Sequence, residues 1–134
     1  MNCLIVEDDF VARRLMKKWL SGIGDCVIVV NGVEAVDAFK EALDKGHPYD
    51  LICLDVMMPE MNGHQTLKAI RQIESDREIA GLDGVKVIMT TACGDSKHIM
   101  GAFKEGCEAY LIKPIKKQEL FAEIEKLGLI DAAV

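Results

Sequence analysis

Hydrophobic and polar positions follow two different rhythms along this chain. Five short apolar runs lie at residues 3–6, 26–30, 51–54, 85–89 and 109–112, each bounded by turn residues and interrupted only by Lys86. Continuous runs of this length are typical of strands that are buried on both faces of a parallel sheet. The pattern therefore predicts five short strands spread evenly through the chain.

Between these runs the apolar residues recur with the helical period of 3.6. The residues that define the apolar faces are Leu15, Met16, Trp19 and Leu20 in the first helix, Ala35, Val36, Phe39, Ala42 and Leu43 in the second, Leu67, Ile70 and Ile73 in the third, and Leu120, Ile124 and Leu127 in the fifth. Asn62-Gly63 opens the third helix, Glu74 is expected on its polar flank, and Ser96 is the predicted N-cap of a short fourth. Residues 74–84 are predicted to form a solvated loop.

Five alternations of strand and helix predict an α/β fold, a doubly wound parallel sheet with helices on both faces. A length of 134 residues fits one domain spanning 1–134 and is too short for a closed barrel of eight units. No apolar run approaches the roughly 20 residues that cross a bilayer, and Met1 is not followed by a signal-peptide pattern. We therefore expect a cytoplasmic protein.

The net charge and the cysteine content restrict the classes of molecule that the protein is expected to bind. The net charge of −6 argues against nonspecific binding to nucleic acid or to an anionic membrane, and favours a protein or a cation. The five cysteines Cys3, Cys26, Cys53, Cys93 and Cys107 form no C-x-x-C pair, which favours reduced thiols. The histidines also lack ligand spacing, and surface positions are expected for His47, His64 and His98.

Chemically active side chains follow four of the five predicted strands. Glu7-Asp8-Asp9 follows the first, Asp55 the third, Thr90-Thr91 the fourth and Lys113-Pro114 the fifth. The carboxyl ends of parallel strands meet at one edge of an open sheet, where ligands bind at the switch in strand order. Clustered carboxylates repel unless they hold protons or a cation, and Mg²⁺ prefers such oxygens. With that charge screened, one carboxylate can act as a nucleophile toward a phosphoryl group.

Four motifs at these strand ends resemble a known family. VEDD, LDVMMPEMNG, MTTA and AYLIKPI occur in that order, and the chain from Asn2 to about Leu129 is similar to receiver domains of two-component response regulators, of the stand-alone, chemotaxis-type (CheY-like) kind. The resemblance implies a flavodoxin-like sheet of strand order 2-1-3-4-5 with five helices. It also implies that Asp55 accepts a phosphoryl group from a sensor histidine kinase or a phosphotransfer protein.

The resemblance assigns the rest of the site as well. Glu7 and Asp8, with Asp55 and the backbone carbonyl of Met57, are expected to hold Mg²⁺, while Lys113 contacts the phosphoryl group. Asp9 is expected to lie outside the site as a helix N-cap. Pro59 and Gly63 are expected to shape the turn after the phosphoacceptor, and Lys113-Pro114 matches the cis peptide of the family.

Switching and timing are assigned by the same resemblance. Thr91 is the expected switch hydroxyl and Tyr110 the aromatic that turns inward, so that the face of the fourth helix, fifth strand and fifth helix binds a downstream protein. Met57 and Cys93 are expected to flank the path of the hydrolytic water. Their thioether and thiol are weak hydrogen-bond partners, which predicts slow autodephosphorylation. Packing alone is the other explanation for both residues and for the neighbouring methionines.

Other functions remain open from the sequence. A Mg²⁺-dependent phosphohydrolase with an aspartyl nucleophile would need an acid two residues later, where this chain has Met57. A phosphorylation-independent binding module of the same fold, or a receiver excised from a longer regulator with an output domain, would carry the same motifs. The favoured prediction is a phosphoacceptor switch that catalyses only its own phosphorylation and dephosphorylation.

Overall fold

The computed structural model describes residues 1–92 and 96–130 of the chain. Within them lies a parallel sheet of five strands in the order β2-β1-β3-β4-β5. The strands are β1 (Asn2–Val6), β2 (Asp25–Val29), β3 (Leu51–Asp55), β4 (Lys86–Thr91) and β5 (Ala109–Ile112). Their bounds lie within two residues of the predicted runs, and the predicted fold class and strand order are confirmed.

The described part of the chain has five α-helices, four that connect successive strands and one that follows β5. They are α1 (Phe10–Leu20), α2 (Gly32–Asp44), α3 (Gly63–Asp76), α4 (Ser96–Glu105) and α5 (Lys117–Lys126). Asp9 caps α1, because its Oδ2 accepts the N–H of Ala12 at 2.8 Å, as predicted. Asn62 caps α3 and forms a reciprocal capping box with Gln65. The side chain of Ser96, the predicted cap of α4, is outside the described part.

Side chains alternate between the two faces of the sheet and build two cores. One core packs β-strand residues against α2, α3 and α4, with Phe39, Leu67 and Ile70 fully enclosed. The other packs the opposite face against α1 and α5, through Leu20 and Leu120 among others. Each central strand is therefore covered on both faces, as parallel sheets require.

Two predictions of burial are wrong at the margins of the sheet. β2 was expected to be buried on both faces, but it is an edge strand and the side chain of Val27 is 45% exposed. Leu15 was expected on the buried face of α1 and is 44% exposed, while Met16 and Leu20 of the same helix are buried. An apolar residue beside the buried stripe of a helix can remain in water, so the period alone does not settle its position.

The segment after α3 differs from its prediction as well. Glu74 was assigned to the polar flank of the helix, yet it is 5% exposed and its carboxylate accepts the N–H of Val85 at 2.7 Å. Part of the expected loop is a short 3₁₀ helix at Gly81–Asp83. The carboxylate is tolerated inside because a backbone donor and Arg71 satisfy it.

The cysteines behave as predicted where they are described. Cys3, Cys26, Cys53 and Cys107 are free thiols, and burial raises the pKa of Cys3 to about 12 and that of Cys107 to about 11. A thiol with such a pKa stays protonated and unreactive near neutral pH.

None of the helices in the described residues has the length and apolar character of a membrane span.

Candidate functional site

Strand register aligns the polar side chains at one edge of the sheet. Asp55 pairs with Thr90 across β3 and β4, and Thr91 pairs with Ile112 across β4 and β5. Glu7 follows Val6, which pairs with Leu54 on β3, so Glu7 and Asp55 are level with each other. The sheet thus brings its carboxyl ends together in one place, as the order β2-β1-β3-β4-β5 predicts.

Three carboxylates converge there. One oxygen each from Glu7, Asp8 and Asp55 lies within 4.8 Å of the others. Glu7 and Asp55 are 1% and 2% exposed, whereas Asp8 is exposed to solvent. Three carboxylate oxygens at this spacing are the donors that a hard divalent cation prefers, and the residues therefore fit Mg²⁺.

Lys113 lies between the two buried acids. Its Nζ is 2.6 Å from Oε1 of Glu7 and 3.2 Å from Oδ1 of Asp55. The peptide bond between Lys113 and Pro114 is cis, as the family resemblance implied. The backbone N–H of Lys113 donates to the carbonyl of Thr91 at 2.7 Å, which ties the end of β5 to the end of β4.

The charges in this cluster perturb one another. The pKa of Asp55 is raised to about 7, first by burial and then by the hydrogen bond and negative charge of Glu7, with Lys113 acting in the opposite direction. Burial lowers the pKa of Lys113, but the two carboxylates outweigh it and leave the pKa raised. Without a cation, the site holds its negative charge at a cost in free energy.

The turn after Asp55 is built around close backbone approaches. The N–H of Gly63 donates to the carbonyl of Val56 at 2.9 Å, and a Cβ on Gly63 would lie 2.5 Å from the carbonyl oxygen of Asp55. Only glycine fits there, as predicted. The N–H of Met57 donates to Oδ1 of Asp55 at 3.3 Å, which orients the carboxylate.

The methionines of this turn do not share one role. Met58 is 9% exposed and belongs to the core, whereas Met57 is 69% exposed. Packing, the other explanation offered for both, therefore holds for Met58 and is wrong for Met57. Cys93, assigned with Met57 to the water path, lies outside the described residues.

The two predicted switch residues occupy different depths. Thr91 is fully buried at the end of β4, and Tyr110 on β5 is half-buried and packs against the core on the α2–α4 side. Tyr110 pairs in register with Met89, two residues before Thr91. The switch residues therefore lie on neighbouring strands, with Tyr110 near the boundary between core and surface.

Two sets of polar contacts made by α3 were not predicted from the sequence. Nδ1 of His64, at the start of α3, is 3.0 Å from a carboxylate oxygen of Glu105 at the end of α4. Both side chains are mostly buried, so the expected surface position of His64 is wrong. Arg71 of α3 donates to the carbonyl of Gly106 and to the carboxylate of Glu108. These partners are 35 to 41 positions apart in sequence, and no local pattern marks them.

The sequence of the chain is similar to those of proteins in one known family. A family model described as "Response regulator receiver domain" matches residues 3–125. The chain is 31% identical over 125 residues to chemotaxis protein CheY of Bacillus subtilis, covering 92% of this chain and 93% of that protein. It is also 33% identical over 122 residues to the osmosensing histidine protein kinase SLN1 of Saccharomyces cerevisiae, covering 90% of this chain.

Several of these relatives are much longer than this chain. It spans 9% of the length of the SLN1 kinase and 12% of the probable histidine kinase 2 of Oryza sativa. The match to those proteins is therefore a match to one segment of each.

Solved structures share the fold. The complex of CheX, CheY, BeF₃ and Mg²⁺ from Borrelia burgdorferi aligns with a TM-score of 0.79 at 23% identity, covering 96% of this chain and 89% of that one. The receiver domain of the histidine kinase CKI1 from Arabidopsis thaliana, complexed with Mg²⁺ and BeF₃⁻, aligns with a TM-score of 0.77 at 23% identity, covering 93% and 89%. At this identity the likeness shows the fold alone.

Proposed function

Because the chain belongs to the response regulator receiver domain family of two-component signalling, we propose that Asp55 is its phosphoacceptor. The observation that carries this proposal is the position of the carboxylate. Oδ1 of Asp55 lies 3.2 Å from Nζ of Lys113, and an oxygen of Asp55 lies within 4.8 Å of oxygens of Glu7 and Asp8. The carboxylate nucleophile, the ammonium group of Lys113 and a candidate metal site therefore lie together at one edge of the sheet.

We assign the metal site to Glu7, Asp8 and Asp55, together with the backbone carbonyl of Met57. Mg²⁺ would supply charge neutralisation for the carboxylates and for the transferred phosphoryl oxygens. The structures of similar proteins with Mg²⁺ and BeF₃⁻ support the choice of ion. Asp8, the exposed member of the three acids, would bind from the solvent side.

The chemical step transfers a phosphoryl group from a phosphohistidine to Asp55. A carboxylate oxygen of Asp55 forms the new P–O bond as the P–N bond breaks, and the imidazole of the donor leaves. Lys113 holds the negative charge that spreads over the phosphoryl oxygens, and the buried hydroxyl of Thr91 donates to one of them. We propose that the chain catalyses only its own phosphorylation and dephosphorylation.

The phosphorylated state would be recognised by a separate protein. Drawing Thr91 toward the phosphoryl group makes room for Tyr110 to turn inward, which changes the face formed by α4, β5 and α5. This face already exposes Met100, Phe103 and Ile112, at 58%, 44% and 47%. Exposed apolar side chains on neighbouring elements suit a protein partner rather than nucleic acid or a membrane.

The remaining assignments concern the whole chain. We propose one receiver domain over residues 1–134, working in the cytoplasm with a sensor kinase or a phosphotransfer protein as donor. We propose a receiver of the stand-alone, chemotaxis-type kind, and a receiver within a longer regulator is the alternative, since relatives of both kinds match the chain. Slow autodephosphorylation also stays a prediction, based on the exposed thioether of Met57 and on Cys93.

The experiment is mass spectrometry of the purified protein after incubation with acetyl phosphate, with and without Mg²⁺. A phosphoryl adduct should form only with Mg²⁺ and should be absent from Asp55→Asn. Asp37→Asn, which removes an exposed carboxylate on α2, should be modified like the wild type. An adduct on Asp55→Asn would refute the assignment. No adduct on any variant would favour the phosphorylation-independent binding module.

A further inference from the structure

Met57 is an apolar side chain that is exposed to water in the turn after Asp55. Among the methionines, Met16, Met58 and Met89 are 3%, 9% and 0% exposed. Met57 is 69% exposed and Met100, on α4, is 58% exposed. Met57 and Met58 are adjacent in the same turn, so exposure here is a property of the position and not of the loop as a whole.

The backbone of Met57 is fixed beside the phosphoacceptor. Its N–H lies 3.3 Å from Oδ1 of Asp55, and the side chains of Asp55 and Glu7 are 3% and 1% exposed. A phosphoryl group on Asp55 would lie at this sheet edge, where the N–H of Met57 is fixed and its side chain is exposed to solvent. Water that attacks the phosphorus from the solvent side would then pass close to this turn.

An exposed thioether is a substrate for peroxide-class oxidants. Methionine is oxidised to its sulfoxide, which reductases reverse, and accessible methionines react ahead of buried ones. The reaction transforms the side chain from an apolar group with a weak acceptor sulfur into a polar group with a strong acceptor oxygen. At position 57 this change would take place next to the path of the hydrolytic water.

We propose that Met57 is a site of reversible oxidation by hydrogen peroxide, and that the sulfoxide shortens the lifetime of phosphorylated Asp55. This inference rests on the proposed phosphorylation of Asp55. In the oxidation, the sulfur of Met57 attacks one peroxide oxygen, the O–O bond breaks and an S–O bond forms. The proton of the attacked oxygen passes to the second oxygen, which leaves as water, and the sulfur has lost two electrons. A methionine sulfoxide reductase restores the thioether with two electrons from a pair of thiols, which form a disulfide while the sulfoxide oxygen leaves as water.

The sulfoxide acts by holding water. Its oxygen accepts a hydrogen bond from a water molecule on the solvent side of the phosphoryl group, which raises the fraction of time that the water is placed for attack. One hydrogen bond of about 1 kcal/mol corresponds to about a fivefold change in rate. The carbonyl of Met57 is unaltered, so the dependence of phosphorylation on Mg²⁺ should be the same before and after oxidation.

The test compares three proteins, the wild type, Met57→Leu and Met100→Leu, the last removing the other highly exposed methionine. Each is treated with hydrogen peroxide, and peptide mass spectrometry gives the sulfoxide fraction at every methionine. Each is then phosphorylated with acetyl phosphate and Mg²⁺, and the first-order loss of the phosphoryl group is measured with and without prior oxidation. Treatment with methionine sulfoxide reductase follows on a fourth sample.

Oxidation should accelerate phosphoryl loss about fivefold in the wild type and in Met100→Leu, and reductase should reverse the change. The ratio of oxidised to untreated rates should be close to one in Met57→Leu, whatever its own basal rate. The proposal is overturned by an unchanged or longer lifetime with Met57 oxidised, by failure of Met57 to oxidise ahead of Met16 and Met89, or by the same acceleration in Met57→Leu. If untreated protein is never modified on Asp55, the proposed function itself fails, and this is seen before oxidant is added.

Discussion

Asp55 is an acid whose surroundings oppose its own ionisation. It is buried beside Glu7, and these two effects raise its pKa to about 7 against the attraction of Lys113. A receiver that must gather a cation and a phosphoryl group on one carboxylate has to assemble this charge before either arrives. The cost is borne by the stability of the metal-free protein, and it is measurable there.

Asp55→Asn should therefore stabilise the metal-free protein near neutral and alkaline pH. The pKa of Asp55 in the folded protein, about 7, lies above its value in the unfolded chain. The stabilisation that this carboxyl group contributes is therefore fully present below about pH 4 and is lost as the pH rises through about 7. At about pH 8 we expect the variant to gain about 1–3 kcal/mol in the free energy of unfolding, with little difference at about pH 4. Urea unfolding followed by the fluorescence of Trp19 measures both.

Two controls accompany this prediction. Asp37→Asn, on the exposed face of α2, should leave the free energy of unfolding unchanged at both pH values. Saturating Mg²⁺ should stabilise the wild type more than Asp55→Asn and reduce the gap between them. Equal stability of wild type and Asp55→Asn at about pH 8 would show that the buried charge carries no such cost.

At the scale of elements, α3 connects the site to the opposite end of the sheet. Its first turn carries Gly63 against the backbone of Asp55, and its later turns carry Arg71, which binds four partners. The guanidinium contacts Glu74 at 2.6 Å, Glu108 at 2.9 Å and the carbonyls of Val85 and Gly106. One side chain therefore fixes α3 to the start of β4 and to the α4–β5 junction.

Arg71→Met should destabilise the fold by about 3 kcal/mol, because it leaves the buried carboxylate of Glu74 without its cation. The double variant Arg71→Met/Glu74→Met should recover part of that loss, since the buried carboxylate of Glu74 is then absent and only the partly exposed Glu108 loses its cation. Lys45→Met, which removes the exposed pair with Glu41, should have no measurable effect. Chemical denaturation of the four proteins decides. A loss in Arg71→Met as small as that in Lys45→Met would mean that the network is not a stabilising one.

At the scale of the whole molecule, charge is unevenly distributed. The chain carries −6 overall, yet α1 holds Arg13, Arg14, Lys17 and Lys18 and no acid. The same helix exposes Phe10 and Val11, at 57% and 63%, directly after the acids of the site. The guanidinium groups of Arg13 and Arg14 lie 5.1 and 5.5 Å from the ring centroid of Phe10. An apolar and basic surface beside Asp55 suits a donor protein with an acidic, partly apolar face.

If the donor binds this surface, Arg14→Glu should slow phosphoryl transfer from a histidine phosphotransfer protein by about tenfold, because it reverses a charge there. The reaction with acetyl phosphate, which needs no docking surface, should keep its rate. Lys40→Glu makes the same charge change on the exposed face of α2 and should leave both reactions unaltered. The two rates are measured from time courses in which samples are quenched and the phosphorylated protein is quantified. Equal slowing with acetyl phosphate would place the effect in the site and not in docking.

Periodicity and strand-end chemistry were sufficient to predict the strands, the helices and the convergence of Glu7, Asp8, Asp55 and Lys113. These features are local, since a buried strand and an amphipathic helix each mark their own sequence, and a parallel sheet collects its carboxyl ends at one edge. The N-cap of Asp9 and the tight turn at Gly63 are local for the same reason.

Only the tertiary structure decided what depends on neighbours from distant parts of the chain. Burial of Glu74, the contact of His64 with Glu105 and the exposure of Val27 on an edge strand follow from which elements happen to pack together. The raised pKa of Asp55, the exposure of Met57 and the burial of Met58 also depend on such neighbours. Periodicity records which face of an element is apolar, whereas burial and charge are set by atoms that only the folded chain brings within reach.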